Sequence, residues 1–253
     1  MASSASLSAE RQRSGNPIDL LAPFSTCDLS DALTKLSLPS LLPSLTLRSP
    51  DPTNRVVQEA RICGPAYTIR LVHAKNTTSP RLPPGTHHVD TIPDYHVVVI
   101  KDEEAATAVN AVWGGLMSLR ASELGCAGVV VHGRIRDLRE HWDLGIKLWA
   151  MGTSTIGSGG FSRAASVGER LTFLDGRQVN GAPPQPSLDP YCVVVETGDI
   201  IVADVDGVVV VPIGRVREVA EVAQKSKQVD ELCRRDIENG RSIAKTFKEH
   251  RGK

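Results

Sequence analysis

The run Val129-Val130-Val131-His132-Gly133-Arg134-Ile135-Arg136-Asp137 closes a β-branched segment with a guanidinium beside a carboxylate. Such a pattern predicts a buried strand that delivers one fixed positive and one fixed negative charge into the loop after it. In open α/β sheets, ligands collect at the carboxyl ends of strands. Arginine grips a substrate carboxylate through two parallel hydrogen bonds, and aspartate suits a hard divalent cation, Mg2+ or Mn2+. The pair points to a metal-assisted site for a small anionic substrate, with Arg136 and Asp137 as candidate catalytic residues and Asp137 as metal ligand. On local pattern alone a plainer assignment stands beside it: Asp137 caps a helix starting at Leu138, and Arg136 is a surface residue.

A second motif supplies what the first lacks. In Trp113-Gly114-Gly115-Leu116-Met117 two glycines precede a helix, so the backbone amides at its start are unobstructed. Free N–H groups and the helix dipole bind anions there. Gly114, Gly115, Leu116 and Met117 are therefore candidate substrate-binding residues, holding a carboxylate from one side while Arg136 holds it from the other. A helix break required for close packing would give the same two glycines.

The elements that must position these motifs are legible to different degrees. His96–Ile100 is a continuous apolar run suited to a buried strand. Asp102, followed by Glu103 and Glu104, predicts the start of an alanine-rich helix reaching Trp113; a second helix is expected from Leu116 to about Leu124, ended by Gly125. Residues 61–72 read as a strand pair broken at Gly64-Pro65. Another strand is expected over 145–151, and a short helix near 25–33. Asp206-Gly207 between two valine-rich runs predicts a hairpin. Apolar residues at Val216, Val219, Val222, Val229 and Leu232 predict one long amphipathic helix from about 215 to 238, ended by Gly240. The stretch 157–190 is rich in Gly, Ser and Pro, with room for small strands. The expected organisation is a polar, disordered tail over 1–17, a catalytic domain over 18–213 and a helical extension over 214–253.

Composition narrows the function classes. The 253 residues suffice for one sizeable core. Lys plus Arg equals Asp plus Glu at 29 each, and aromatics are 4%, so neither a nucleic-acid partner nor a membrane surface is expected. The five cysteines, Cys27, Cys63, Cys126, Cys192 and Cys233, lack CxxC spacing; reduced thiols in a cytoplasmic protein are the expectation. His132 and His141 flank the charged loop without zinc-ligand spacing. His87-His88 reads as solvated, Gly157-Ser158-Gly159-Gly160 as flexible without the Lys-Ser/Thr of a phosphate loop, and Cys126 as core.

Taken together, Trp113-Gly114-Gly115-Leu116-Met117, Gly125–Val130 and Gly133-Arg134-Ile135-Arg136-Asp137 resemble the RraA-like family. So do Asp31-Ala32-Leu33, Gly64-Pro65-Ala66, Met151-Gly152-Thr153-Ser154 and Gly198–Val208. The resemblance spans roughly 25–225. This family includes class II 4-hydroxy-4-methyl-2-oxoglutarate aldolases, oxaloacetate decarboxylases and a regulator of ribonuclease E activity. The resemblance implies an α/β swivelling β/β/α domain, here with a long C-terminal helix. It also implies a homotrimer, sometimes doubled to a hexamer, with sites between subunits, and a metal-dependent lyase acting on a small 2-oxo dicarboxylic acid through a pyruvate enolate. It assigns substrate and enolate binding to Arg136, the metal to Asp137, and the pyruvyl carboxylate to the amides of Gly114 to Met117. Two departures stand out. Some aldolase members carry an acidic residue, which orders a metal-bound water, where this chain has Gly115; and 157–190 is longer than in compact members. A non-catalytic regulatory protein and a biosynthetic lyase on a larger substrate are the alternative readings.

Overall fold

The computed structural model describes residues 15–53, 60–174 and 192–252; most of the tail expected over 1–17, and the far part of the 157–190 stretch, lie outside them. Two short helices open the described chain, α1 (Pro17–Leu21) and α2 (Thr26–Lys35). Ser25 and Asp28 form a reciprocal capping box at the start of α2. Then come β1 (Thr46–Ser49), β2 (Ile62–His73), β3 (Val97–Asp102), β4 (Ala111–Trp113), α3 (Gly115–Glu123), β5 (Gly128–Ile135), α4 (Leu138–Leu144), β6 (Leu148–Thr153) and β7 (Ser162–Val167). After them come β8 (Leu171–Leu174), β9 (Cys192–Val195), β10 (Ile200–Ala203), β11 (Val208–Val211), α5 (Val216–Glu238) and α6 (Ile243–His250).

The main sheet runs β1-β6-β5-β3-β2-β10-β11, with β4 also paired to β5 and β7 to β2; β8 and β9 form a separate hairpin sheet. Its centre, β6-β5-β3-β2, is parallel, and its outer pairings are antiparallel. Both faces of the parallel centre are covered, which explains why its strands are continuous apolar runs. Val97, Val99 and Val130 pack toward Phe173 and Ile201 on one face, while Val98, Ile100, Val129 and Val131 pack toward Val112 and Trp113 on the other. The valine hairpin β10–β11 turns at Asp206-Gly207 as expected. A third cluster joins it to α1, α2 and α5 through Leu29, Leu33, Val202, Val219 and Ala223.

Two expectations fail. The alanine-rich stretch after Asp102 is not a helix: residues 103–107 form turns and Ala111–Trp113 form a strand. Asp102 is itself the buried last residue of β3, and its carboxylate accepts from the Glu104 amide in a tight local turn. Parallel pairing of Ala111 and Trp113 with β5 satisfies backbone groups and buries three apolar side chains at once. That outweighs helix propensities worth a few tenths of a kcal/mol per residue. Nor is β2 a broken pair; it is one strand of 12 residues. Its ladder with β3 begins only at Ala66, so the missing N–H of Pro65 removes no bond on that side. The strand expected at 145–151 begins three residues later, at Leu148, and α5 matches its expected span and ends before Gly240, whose φ is +83°.

Candidate active site

Parallel strands β4 and β5 end side by side, and both carboxyl ends open into the same space. β5 leads into Arg136-Asp137, and β4 leads through Gly114 into α3. The Arg136 amide donates to the Trp113 carbonyl at 3.0 Å, tying the two strand ends together at the backbone. The Trp113 side chain fixes α3 in turn. Its indole is 1% exposed and its Nε1–H donates to Ser118 Oγ at 2.7 Å, so burial of a large aromatic and a satisfied polar handle act together.

Within this frame the structure brings the two sequence motifs into contact. The Gly115 amide donates to Asp137 Oδ2 at 3.0 Å, and Arg136 Nε lies 3.3 Å from the same oxygen. The Asp137 carboxylate thus occupies the α3 amide expected to meet a substrate carboxylate. Met117 N–H is engaged by the Gly114 carbonyl, while the Leu116 side chain is 80% exposed. Asp137 sits at the N-terminus of α4 but does not cap it with its side chain, which reaches across to α3 instead. Its backbone is left-handed, φ +64°, ψ +44°, a conformation that costs most residues about 1 kcal/mol or more and that Asp tolerates better than most. Such strain is retained where the surroundings over-determine it.

The glycines at 114 and 115 stand in close approach to side chains of the 136–140 segment. A Cβ on Gly114 would stand 2.7 Å from Asp137 Oδ2 and 3.4 Å from Arg136 Cγ. A Cβ on Gly115 would stand 1.7 Å from Glu140 Oε2. The Glu140 carboxylate, from the first turn of α4, therefore lies where a side chain at 115 would begin. Sequence reasoning passed over Glu140. The signal was its place three residues after Asp137, which returns it to the same side of α4.

The other candidates sort by geometry. Arg134 is a structural tie, donating from Nε to the Ala108 carbonyl and from Nη1 to the Thr153 carbonyl. His132 points away from the strand end and packs edge-on against Phe173; burial, with Lys101 adding to it, pushes its pKa down to about 4. His141 is fully buried beside Glu140. Burial lowers its pKa against the Arg136 backbone and the Asp137 and Glu140 charges, which raise it. The Cys126 thiol donates to the His96 and Gly128 carbonyls, a structural role. The pair at 87–88 departs from the solvated expectation: His87 is exposed, but His88 is only 8% exposed and stacks on it. Gly157 is more than a flexible link, since a Cβ there would stand 2.7 Å from Arg136 Nη1. Far from this site, Asp236, Glu249 and His250 are close enough to hold a cation. The Arg241 guanidinium already bonds both carboxylates and fills that role.

Comparison with known proteins follows the same lines. The chain is 26% identical over 234 residues to protein DlpA of Legionella pneumophila, covering 90% of this chain but 32% of that protein. It is 32% identical over 133 residues to protein MJ0644 of Methanocaldococcus jannaschii, covering 53% of this chain and 55% of that one. The chain thus spans about a third and about half of these two relatives. A protein of Halalkalibacterium halodurans named as a 4-hydroxy-4-methyl-2-oxoglutarate aldolase is 28% identical over 225 residues, covering 87% of this chain and 89% of that one. Among solved structures, a Pseudomonas syringae pv. tomato protein superposes with a TM-score of 0.70 at 22% identity, covering 91% of this chain and 96% of that one. Streptomyces coelicolor RraAS2, described as an unusual member of the RNase ES inhibitor RraA protein family, superposes with a TM-score of 0.65 at 24% identity, covering 87% and 96%. These structural likenesses establish the shared α/β fold. The model of the RraA-like family, described as Aldolase/RraA, matches residues 26–210, and the chain belongs to that family.

Proposed function

We propose that the chain is a divalent-metal-dependent carbon–carbon lyase that cleaves the C3–C4 bond of a small 2-oxo dicarboxylic acid. The reactions that fit are retro-aldol cleavage of a 4-hydroxy-4-methyl-2-oxoglutarate-like acid and decarboxylation of oxaloacetate. The observation that carries this reading is the convergence of Arg136, Asp137 and Glu140 on the Gly115 end of α3. A likeness to a relative named as an aldolase supports it.

The residues fit a cation of the Mg2+ or Mn2+ type. Mg2+ is commonly held by one or two carboxylates, with water and substrate completing its shell, and Asp137 and Glu140 offer two at a solvent-accessible site. Asp137 would hold the ion and Glu140 would hold its water; when bound, the ion supplies Lewis-acid polarisation of the 2-oxo group. Arg136, whose side chain is 46% exposed, binds the substrate carboxylate and stabilises the charge that develops on the enolate oxygen. With the Gly115 amide on Asp137 and the Met117 amide on the Gly114 carbonyl, the Leu116 amide would orient the pyruvyl end. In the retro-aldol direction Glu140 takes the proton of the C4 hydroxyl, directly or through water. The C3–C4 bond then breaks, C4 becomes a carbonyl, and the electron pair passes to C3 and the 2-oxo oxygen as pyruvate enolate. In decarboxylation the same pair is released by loss of CO2, and no hydroxyl proton has to be removed. Protonation at C3 completes either reaction.

Leu116 and Leu119 on α3, and Ile156, exposed at 80%, 44% and 44%, offer apolar surface that a neighbouring copy in a homotrimer would cover. No helix among the described residues is long and apolar enough to cross a membrane.

The test is coupled detection of pyruvate released from each substrate, with and without EDTA, followed by Mg2+ readdition. EDTA-sensitive release that is restored by Mg2+ and lost in Asp137→Ala is expected. Absence of metal-dependent release from any 2-oxo dicarboxylate would leave the non-catalytic reading, and full activity of Asp137→Ala at saturating Mg2+ would sink the assigned mechanism.

A further inference from the structure

A cavity of about 320 Å³, within the size range of small-molecule sites, is lined by Ser158, the neighbour of Gly157, against which the Arg136 guanidinium rests. Its inner wall includes Val112, Met117 and Ser158. Each lies within two residues of Gly114, Gly115 or Gly157, the glycines against which Asp137, Glu140 and Arg136 rest. Ser158 therefore connects the cavity to Gly157 and so to the Arg136 guanidinium.

Its outer wall is built from the segment before β3 and from the start of β7, and it is cationic. Arg81 and Arg163 line it, and no Asp or Glu does among the described residues. The Arg163 guanidinium donates to the carbonyls of Asn76, Ser79, Pro80 and Ala164. It pins the 76–80 segment over the cavity while keeping its full charge, because carbonyls orient a cation without neutralising it. Arg81, on the pinned segment, is exposed.

A third group points the same way. His88 lines the cavity, is 8% exposed, and has no hydrogen-bond partner at Nε2 among the described residues. Buried imidazole nitrogens are normally satisfied; this one is enclosed within the cavity wall, so a turn of the ring toward the cavity would give it a polar ligand as its missing partner. Burial, reinforced by the neighbouring His87, pushes the His88 pKa down to about 4. It is therefore neutral at pH 7 and can donate one hydrogen bond without adding charge.

The geometry points to this cavity as the subsite for the distal carboxylate of a 2-oxo diacid, gripped by Arg81 and His88 while the pyruvyl end lies on Arg136. This inference rests on the function proposed above, whose site it extends. It separates two jobs: Arg136, Asp137 and Glu140 act on the bond that breaks, and the Arg81–His88 wall selects what is attached beyond it.

The test is calorimetric titration of the full chain, in Mg2+, with 2-oxoglutarate and 2-oxopentanoate. The two share the 2-oxo acid end, differ in whether the far end is a carboxylate or a methyl group, and lack the C4 hydroxyl that retro-aldol cleavage needs. The wild type is expected to prefer the diacid by about tenfold or more, as for a charge-assisted hydrogen bond. Arg81→Ala and, separately, His88→Gln are expected to bring that preference to within about twofold. Equal binding of the two acids by the wild type, or a preference that survives both substitutions, overturns the subsite alone. Failure of both acids to bind the wild type, or binding unaffected by Arg136→Ala, overturns the function reading and the subsite with it.

Discussion

Adding one methyl group at Gly115 tests the assignment of Glu140 without touching Glu140. A Cβ there would stand 1.7 Å from Glu140 Oε2, 2.5 Å from Cδ and 2.9 Å from Cβ. The carboxylate would have to retreat by about 1.7 Å to reach ordinary van der Waals contact. Glu140 is exposed, so its carboxylate can rotate into water at little cost, while its Cβ, at 2.9 Å, must give with α4 by a few tenths of an ångström. Gly115 has no positive φ and opens a helix, where Gly→Ala stabilises by up to about 1 kcal/mol. The propensity gain and the shift of α4 offset each other, so Gly115→Ala should change the melting temperature by no more than about 4 °C in either direction. It should lower kcat for retro-aldol cleavage by roughly 10- to 100-fold, the usual loss when a group supporting a metal site is displaced. The decisive assay is a double-mutant cycle with Glu140→Ala, read by pyruvate release. In the Glu140→Ala background the methyl group has nothing left to displace, so Gly115→Ala should cost at most about twofold more. Wild-type activity in Gly115→Ala, or a loss of full size in both backgrounds, would refute the placement of Glu140 in the chemistry.

Substitutions at two further residues probe neighbouring features. Asp137→Asn keeps a residue that accepts the left-handed backbone and an oxygen for the Gly115 amide, but removes the charge. Metal-dependent turnover should fall more than about 100-fold with little change in melting temperature, whereas Asp137→Leu should also lose about 1–2 kcal/mol of stability by urea titration. For His132, burial pushes the folded-state pKa down to about 4 from 6.5. The unfolded chain therefore takes up its proton first as the pH falls. The stability contributed by the neutral ring is complete above about pH 6.5 and is lost progressively toward pH 4, by up to about 3 kcal/mol. Urea midpoints of His132→Asn should consequently decline less between pH 7 and pH 5 than those of the wild type; parallel declines would show that His132 does not titrate as assigned.

Strong local transitions made part of this chain legible. Three valines running into Arg136-Asp137, and two glycines opening α3, each mark the end of an element, and the structure sets those ends in contact. The stretch after Asp102 was misleading because alanine propensity is local, whereas pairing of β4 with β5 depends on a strand some 20 residues away. Continuity of β2 through Gly64-Pro65 likewise depends on where its partner's ladder begins. Glu140 was hidden for a different reason: its place is defined by an atom that glycine does not have. Burial of His88 was hidden because its polar surroundings read as solvent, whereas the turn that carries it is drawn inward by buried Val89 and Ile92 and by Tyr67 on Thr91.

The backbone bond between Arg136 N–H and the Trp113 carbonyl has a consequence for redesign. It locks the two halves of the reaction centre into one unit that cannot be widened from either strand alone. The 76–80 segment is held by Arg163 gripping its carbonyls, and carbonyls are offered by any sequence, whereas the 88–92 turn is anchored by buried Val89 and Ile92 and by Tyr67 on Thr91. The cavity wall is therefore open to change by exchanging residues 76–81 while keeping Arg163 and the 88–92 turn, with the reaction centre carried over.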